Sequence, residues 1–527
     1  MITGKNYVGG QPSASGTKTF KTFNPLLNNP NAPLFHEATD NEVDEALKLA
    51  TEAYHQYQKT TGKERATFLN SIADEIEALG DELITTYCLE TGLPEGRAKG
   101  ERGRTVGQLR SFANLIDDGS WVKASIDTAL PERRPVPKPD LRKMMVPLGP
   151  VVVFGASNFP LAYSTAGGDT ASALAAGCPV VVKSHPMHAG TGELVAQAIL
   201  TAAKKLNIAE GVFSNLNSSG IEVGIQLVKH PLAKAVGFTG SITGGRALFD
   251  MASQRDIPIP VFAEMGSVNP VVLLPDALKT KGVDWAKTYA SSITLGTGQF
   301  CTNPGLLFAI ESEGLQHFKE VLSQEILKIE PSCMLNPSIK ERYASSKDKI
   351  FGQDGLKVAA NYKGKVQPNF ADQAVVMVSG ADFIANNELH EEVFGPFSMI
   401  VNCKNKEELE KAVDCIDGQL TGTIISEGSE IVDYESLLDV LQEKVGRLIF
   451  NGVPTGVEVC PSMQHGGPYP ASTDSRFTAV GIHSIDRWVR PISFQNWPNG
   501  LLPDALKDEN PLQIARLVNG EMTKSKV

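Results

Sequence analysis

Apolar residues at Val43, Ala46, Leu47 and Ala50 recur at helical spacing behind Asp40, which predicts a helix with Asp40 as its N-cap. Helical patterns return over 66–84 and 100–116, so the N-terminal part opens as helices. The segment 130–139 (LPERRPVPKP) interrupts them with four prolines and several charges, which predicts a boundary or extended connector. From Val146 the pattern changes. Short β-branched runs at 151–154, 180–183, 235–239, 259–264 and 271–274 alternate with Ala- and Gly-containing helical stretches at 164–176, 190–206 and 245–253. This alternation predicts βαβ units around a parallel sheet, an α/β fold. A second mixed region runs from about Gly266 to Asn451, with helices over 315–328 and 406–416. The tail from Pro461 to Pro503, rich in Pro and aromatic residues, reads as extended and then briefly helical.

The chain has 527 residues, enough for three or four domain-sized units, and its 42% hydrophobic and 21% charged content is that of an ordinary globular protein. A formal charge of −11 argues against phosphate backbones, so no nucleic acid is expected as a partner. No apolar run reaches the roughly 18 residues a membrane span needs, and residues 1–16 lack the apolar core of a secretory signal, so a cytoplasmic location away from membranes is expected. The seven cysteines are scattered without CxxC spacing, and the nine histidines show no HExxH. No disulfide framework and no metal site are therefore expected.

Five segments carry candidate chemistry. The run from Val236 to Gly245 (VGFTGSITGG) places a glycine-rich turn between a strand and a helix, where amides could meet a pyrophosphate; alone it is equally an ordinary βα turn. Cys301 sits in LGTGQFCTNPG, a loop too rich in Gly and Pro for a regular element, as either an activated nucleophile or an inert buried thiol. Glu264 ends an apolar strand, where desolvation would suit a general base. Lys183 ends the VVVK strand at the edge where doubly wound sheets bind ligands. Asn158, in the turn FGASNFP, could donate to an oxyanion or simply cap its own turn.

Taken in order, these segments resemble the aldehyde dehydrogenase superfamily over nearly the whole chain. Ser157–Pro160 resembles its asparagine turn, Val182-Lys183 its ribose lysine, and Gly240–Gly245 its GSxxxG turn. Glu264–Pro270, Gly298–Cys301 and Glu392–Pro396 (EVFGP) resemble its base, nucleophile and EIFGP segments. Lys183-Ser-His-Pro186 and Gly100–Thr105 are closer to an NADP-preferring branch that includes 2,5-dioxovalerate and long-chain fatty aldehyde dehydrogenases.

The resemblance implies a Rossmann-like cofactor domain (1–133 and 149–265), an α/β catalytic domain (266–455), and a small oligomerisation β-extension with bridging segments (134–148 and 456–527). A homodimer or homotetramer is expected. It further implies that Cys301 attacks an aldehyde, that Asn158 and the Cys301 amide hold the oxyanion, and that Glu264 activates water against the thioester. Lys183, Ser184, His185, Gly240, Ser241, Gly245, Glu392 and Phe394 are implied to hold the nucleotide. NADP is expected because Pro186 stands where NAD-selective relatives carry an acid, with NAD also usable.

Three departures from the family pattern bear on this. The interval from Glu264 to Cys301 is slightly long, Ser157 stands where many relatives have an aromatic, and His465 in Met463-Gln-His-Gly-Gly467 replaces a substrate-channel aromatic. For the substrate, Arg102, Arg104 and Arg110 are candidates to hold a distal carboxylate, with Phe159, His465 and Gln464 lining a polar channel. 2,5-Dioxovalerate is favoured over a fatty aldehyde. A cysteine hydrolase or acyltransferase is the alternative from another class, and would pair the thiol with a His and an Asn or Asp.

Overall fold

The computed structural model describes residues 1–527. The first long helix spans Asp40–Tyr57, and its cap is Thr39 instead of the expected Asp40. Thr39 Oγ1 accepts from the Glu42 amide while Glu42 accepts from the Thr39 amide (2.8 Å), a capping box that moves Asp40 into the first turn, where its charge suits the helix dipole. The helical pattern over 66–84 divides into Gly62–Ala78 and Gly80–Thr91, because Gly80 adopts φ +55°. The pattern over 100–116 lies inside the longer helix Glu95–Asp118, whose Leu109, Phe112, Ala113 and Ile116 join Leu69, Ile72 and Ile76 in one core.

Three sheets organise the chain. The first orders its strands Val261–Glu264, Ala235–Thr239, Val151–Phe154, Val180–Lys183, Phe213–Leu216, Asn6–Val8 and Gln11–Ser13, the first five parallel and the last two an antiparallel addition. Val151–Val153 and Val180–Val182 are fully buried, which explains their unbroken apolar runs in place of alternation. The Phe213–Leu216 strand escapes sequence reading because FSNL carries buried Ser214 and Asn215 within it. Strand order reverses between the Val151 and Ala235 strands, so the crevice for a ligand opens at their carboxyl ends. Asn158 and the Gly240 turn leave those two ends.

The second sheet orders Lys357–Asn361, Ala374–Ser379, Phe397–Cys403, Leu306–Ile310, Val271–Leu273, Gln419–Ile425 and Val445–Phe450, all parallel except its first edge strand. The segment 264–271 therefore leads from one parallel sheet straight into the middle of the other. A third, five-stranded sheet orders Val489–Gln495, Leu141–Pro147, Ser125–Asp127, Arg516–Val518 and Glu521–Thr523. Ser125–Asp127, which the sequence reading assigns to the cofactor domain, pairs here because the chain has already left the Glu95–Asp118 helix for the extension. No helix is long and apolar enough to cross a membrane.

Candidate active site

The two parallel sheets meet at one cavity of about 250 Å³, lined by Asn158, Phe159, Tyr163, Gly240, Ser241, Glu264, Cys301, Glu392 and Phe394 among others. Cys301 enters it from a loop in which Gly296, Thr297 and Gly298 all have positive φ. Gly298 must be glycine, because a Cβ there would lie 2.2 Å from the Gly395 carbonyl group. Asn269 ties this loop down: its Nδ2 donates to the carbonyls of Cys301 and Asn303 (both 2.9 Å), and its Oδ1 accepts from Ser267 and Thr421. Asn158 Nδ2 donates to the Gln299 carbonyl (3.1 Å), which sets the amide beside the thiol with a second N–H to spare.

Glu264 and His465 complete the centre. His465 Nε2 lies 2.8 Å from Glu264 Oε1 and 3.6 Å from Cys301 Sγ, and both side chains are buried. His465 Nε2–H donates to Oε1, leaving Glu264 Oε2 without a hydrogen-bond partner and available as a base. The three reactive atoms lie within 4.8 Å of one another. Thiolate, imidazole and carboxylate could hold a soft divalent ion, but an ion on the sulfur would consume the nucleophile. His465 thus bridges base and thiol instead of serving as the polar substrate contact that the sequence suggests, and Gln464 is engaged with the Phe477 carbonyl.

Burial, and then the charge of Glu264, holds the Cys301 thiol well above its ordinary range, while Arg104 pulls it down. Alkylation of Cys301 by iodoacetamide in the free enzyme is expected to keep accelerating through pH 9. A plateau near pH 7 would mean a thiolate already formed beside His465, contrary to this electrostatic balance.

At the other end of the cavity stands the Ile242–Ser253 helix, whose N-cap Ser241 accepts from the Gly244 amide (3.1 Å). The first-turn amides of Ile242 and Thr243 have no intrahelical partner and follow directly on Thr239–Ser241, which line the cavity, a fit for a pyrophosphate. Glu392 reaches the cavity past Gly266, where a Cβ would sit 2.4 Å from its Oε2, and burial pushes its carboxyl up to about 7. Lys183 is buried at the same sheet edge and donates to the Ser218 carbonyl (2.9 Å). Burial draws its ammonium down to about 8, partly offset by the charge of Glu37, which is held by the Ser219 amide and hydroxyl.

Several expected contacts fall elsewhere. Ser184 Oγ is buried and turned toward Gly192, away from the groove, so it is not a phosphate donor. Gly245 packs the helix onto Met265 and Ala263, so its role is close approach and not nucleotide contact. His185 stacks on His188, and its Nδ1 accepts from the Met187 amide, capping a short turn. Arg110 is exposed and paired with Asp74 and Glu77, and Arg102 donates to the Gly80 carbonyl, so neither reaches the site. Of the three, only Arg104 does, donating to Tyr163 Oη (3.0 Å).

Residues that sequence reading passed over are Tyr163, Phe300, Arg97, Glu101, Asn269, Arg342 and Arg447. Glu101 accepts from the Leu161 and Ala162 amides and so shapes the turn after Asn158. Arg97 pairs with Glu101 and lies over the rings of Phe159 and Phe300, at 4.4 and 4.8 Å. Arg342, from the helix Pro337–Phe351, also lines the cavity.

A thiol beside a carboxylate, an amide placed for an oxyanion and a dinucleotide cradle opening on that thiol define an aldehyde-oxidising centre. The family model described as "Aldehyde dehydrogenase family" matches residues 12–483, and the chain belongs to that family. It is 47% identical over 99% of both chains to an alpha-ketoglutaric semialdehyde dehydrogenase 2 of Azospirillum brasilense. It is 46% identical, again over 99% of both, to an alpha-ketoglutaric semialdehyde dehydrogenase of Acinetobacter baylyi. Betaine aldehyde dehydrogenase of Staphylococcus aureus in complex with NAD+ shares the fold, with a TM-score of 0.81, 18% identity and coverage of 94% of this chain and 95% of that one. The protein is an NAD(P)-dependent aldehyde dehydrogenase.

Proposed function

We propose that this enzyme oxidises 2,5-dioxovalerate, the semialdehyde of 2-oxoglutarate, to 2-oxoglutarate. The observation that carries the reading is full-length identity of 47% and 46% to two relatives that bear this substrate in their names. Cys301 releases its proton to solvent, and the thiolate adds to the aldehyde carbon. Asn158 Nδ2 and the Cys301 amide donate to the oxyanion that forms. The nicotinamide ring, when bound, supplies the acceptor for the hydride leaving that carbon. Glu264 then deprotonates water for attack on the Cys301 thioester, with His465 Nε2–H holding the carboxylate toward the sulfur. The test is kcat/KM for 2,5-dioxovalerate beside hexanal and decanal. A preference of more than about tenfold for an apolar aldehyde, some 1.4 kcal/mol, would replace this reading with that of a fatty aldehyde dehydrogenase.

For the cofactor we infer NADP, with NAD also used. Pro186 carries no charge against a 2′-phosphate, and Lys183 adds a cation at the strand end. Glu37 opposes this from another segment of the chain, beside the same lysine. The Glu37→Gln variant is expected to raise the NADP to NAD ratio of kcat/KM several-fold, and an unchanged ratio would remove Glu37 from the account. We also infer a cytoplasmic enzyme, consistent with seven free cysteines. A homodimer or homotetramer formed through the third sheet is inferred as well, since Leu517, Met522 and Trp497 in and beside it are exposed. Light scattering on the eluting protein distinguishes these oligomers from a monomer.

A further inference from the structure

An apolar cluster of Phe159, Tyr163 and Val480, joined by Phe300 and Met463, walls the cavity at Cys301 through Phe159 and Tyr163. Two guanidinium groups border this wall. Arg104, from the Glu95–Asp118 helix, donates only to Tyr163 Oη and lies 5.2 Å from the Tyr163 ring centre. Arg447, from the Val445–Phe450 strand, donates to the carbonyls of Pro454 and Gly456 and to Met463 Sδ (3.7 Å). Neither pairs with a carboxylate, and the Nε of each is buried without a partner. Arg97, close by, is different, because Glu101 neutralises it. Two part-buried cations without a counter-ion are costly unless an anion comes to them.

We propose that Arg104 and Arg447 together bind the distal carboxylate of a dicarboxylic semialdehyde whose aldehyde carbon lies at Cys301. The assignment rests on the substrate class inferred above and names the residues that would recognise it. Both cations act electrostatically on the reaction centre: Arg104 lowers the Cys301 thiol, and Arg447, itself drawn down by burial, is raised again by charge on Cys301 and Tyr163. In 2,5-dioxovalerate four C–C bonds separate the two ends, so the carboxylate lies about 5 Å beyond the reacting carbon, a span set by bonds of about 1.5 Å. Tyr163 occupies the interval between sulfur and guanidinium: its ring stands 6.2 Å from that of His465, which contacts Cys301, and its hydroxyl is held by Arg104. Arginine suits this task because its planar fork meets both carboxylate oxygens, whereas an uncharged aldehyde would leave both cations unpaired.

The experiment compares kcat/KM for 2,5-dioxovalerate and for pentanal, an uncharged aldehyde of equal length, in wild type and in Arg104→Met, Arg104→Lys, Arg447→Met and Arg447→Lys. Each Met variant is expected to lower the ratio of acid to pentanal by about 30-fold, mainly through KM of the acid, as loss of one charge-assisted contact implies. The Lys variants should recover part of it. Because the readout is a ratio within one variant, a general loss of folded enzyme does not imitate the effect. A ratio within about twofold of wild type in both Met variants would overturn the proposal and leave the arginines as braces for Tyr163 and the 454–456 loop. If wild type itself prefers pentanal while the Met variants still lower the ratio, the arginine assignment stands and the 2,5-dioxovalerate reading falls.

Discussion

Cys301→Ala is expected to reduce aldehyde oxidation by about 10⁴-fold or more, the scale seen when a covalent nucleophile is removed from an enzyme. No other thiol can take over. Cys301 is the cysteine that lines the cavity, and it stands beside Glu264 and His465, whereas Cys178, Cys333 and Cys403 are buried in cores. Cofactor affinity should change little, because the proposed cradle of the Ser241 cap, Lys183 and Glu392 does not depend on the sulfur. Turnover measured by reduced-cofactor absorbance, together with cofactor titration by tryptophan fluorescence, checks both halves. Turnover within tenfold of wild type would remove Cys301 from the mechanism.

Glu264→Gln should separate the two halves of the reaction. The carboxylate is buried, one oxygen is committed to His465 and the other is unpartnered, so no second base stands ready for the deacylating water. Gln keeps the shape and a hydrogen bond but cannot accept the proton. Loss of a positioned general base typically costs about 10²- to 10⁴-fold, here on thioester hydrolysis. Stopped-flow absorbance is expected to show one equivalent of reduced cofactor per active site, followed by slow turnover. A steady state equal to wild type would make Glu264 structural.

Much of this arrangement is legible along the chain because it is local. The Val151 and Val180 strands are runs of buried valine and the Ala235 strand is buried over Ala235–Gly237, and residues at their carboxyl ends fall at the crevice that the strand order creates. Asn158, Gly240, Glu264 and Cys301 could therefore be singled out from strand ends and loops alone. What the chain conceals is set by pairing across long separations. His465 lies 201 residues from Glu264 and 164 from Cys301, and only the folded tail brings them into contact. Arg110 reads like a site cation, but the neighbouring helix supplies Asp74 and Glu77 to it. Ser184 follows Lys183 directly, yet the backbone turn aims it inward at Gly192. Arg447 carries no local signal, since an arginine on an edge strand of the second sheet normally faces water.

The account centres on a thioester carried by Cys301 and released by Glu264. The direct measurement is peptide mass mapping of Glu264→Gln quenched with acid after mixing with 2,5-dioxovalerate and NADP. The expected result is a 2-oxoglutaryl adduct on the peptide containing Cys301, in amount equal to the burst of reduced cofactor. A burst with no adduct, or an adduct on any other cysteine, would contradict it.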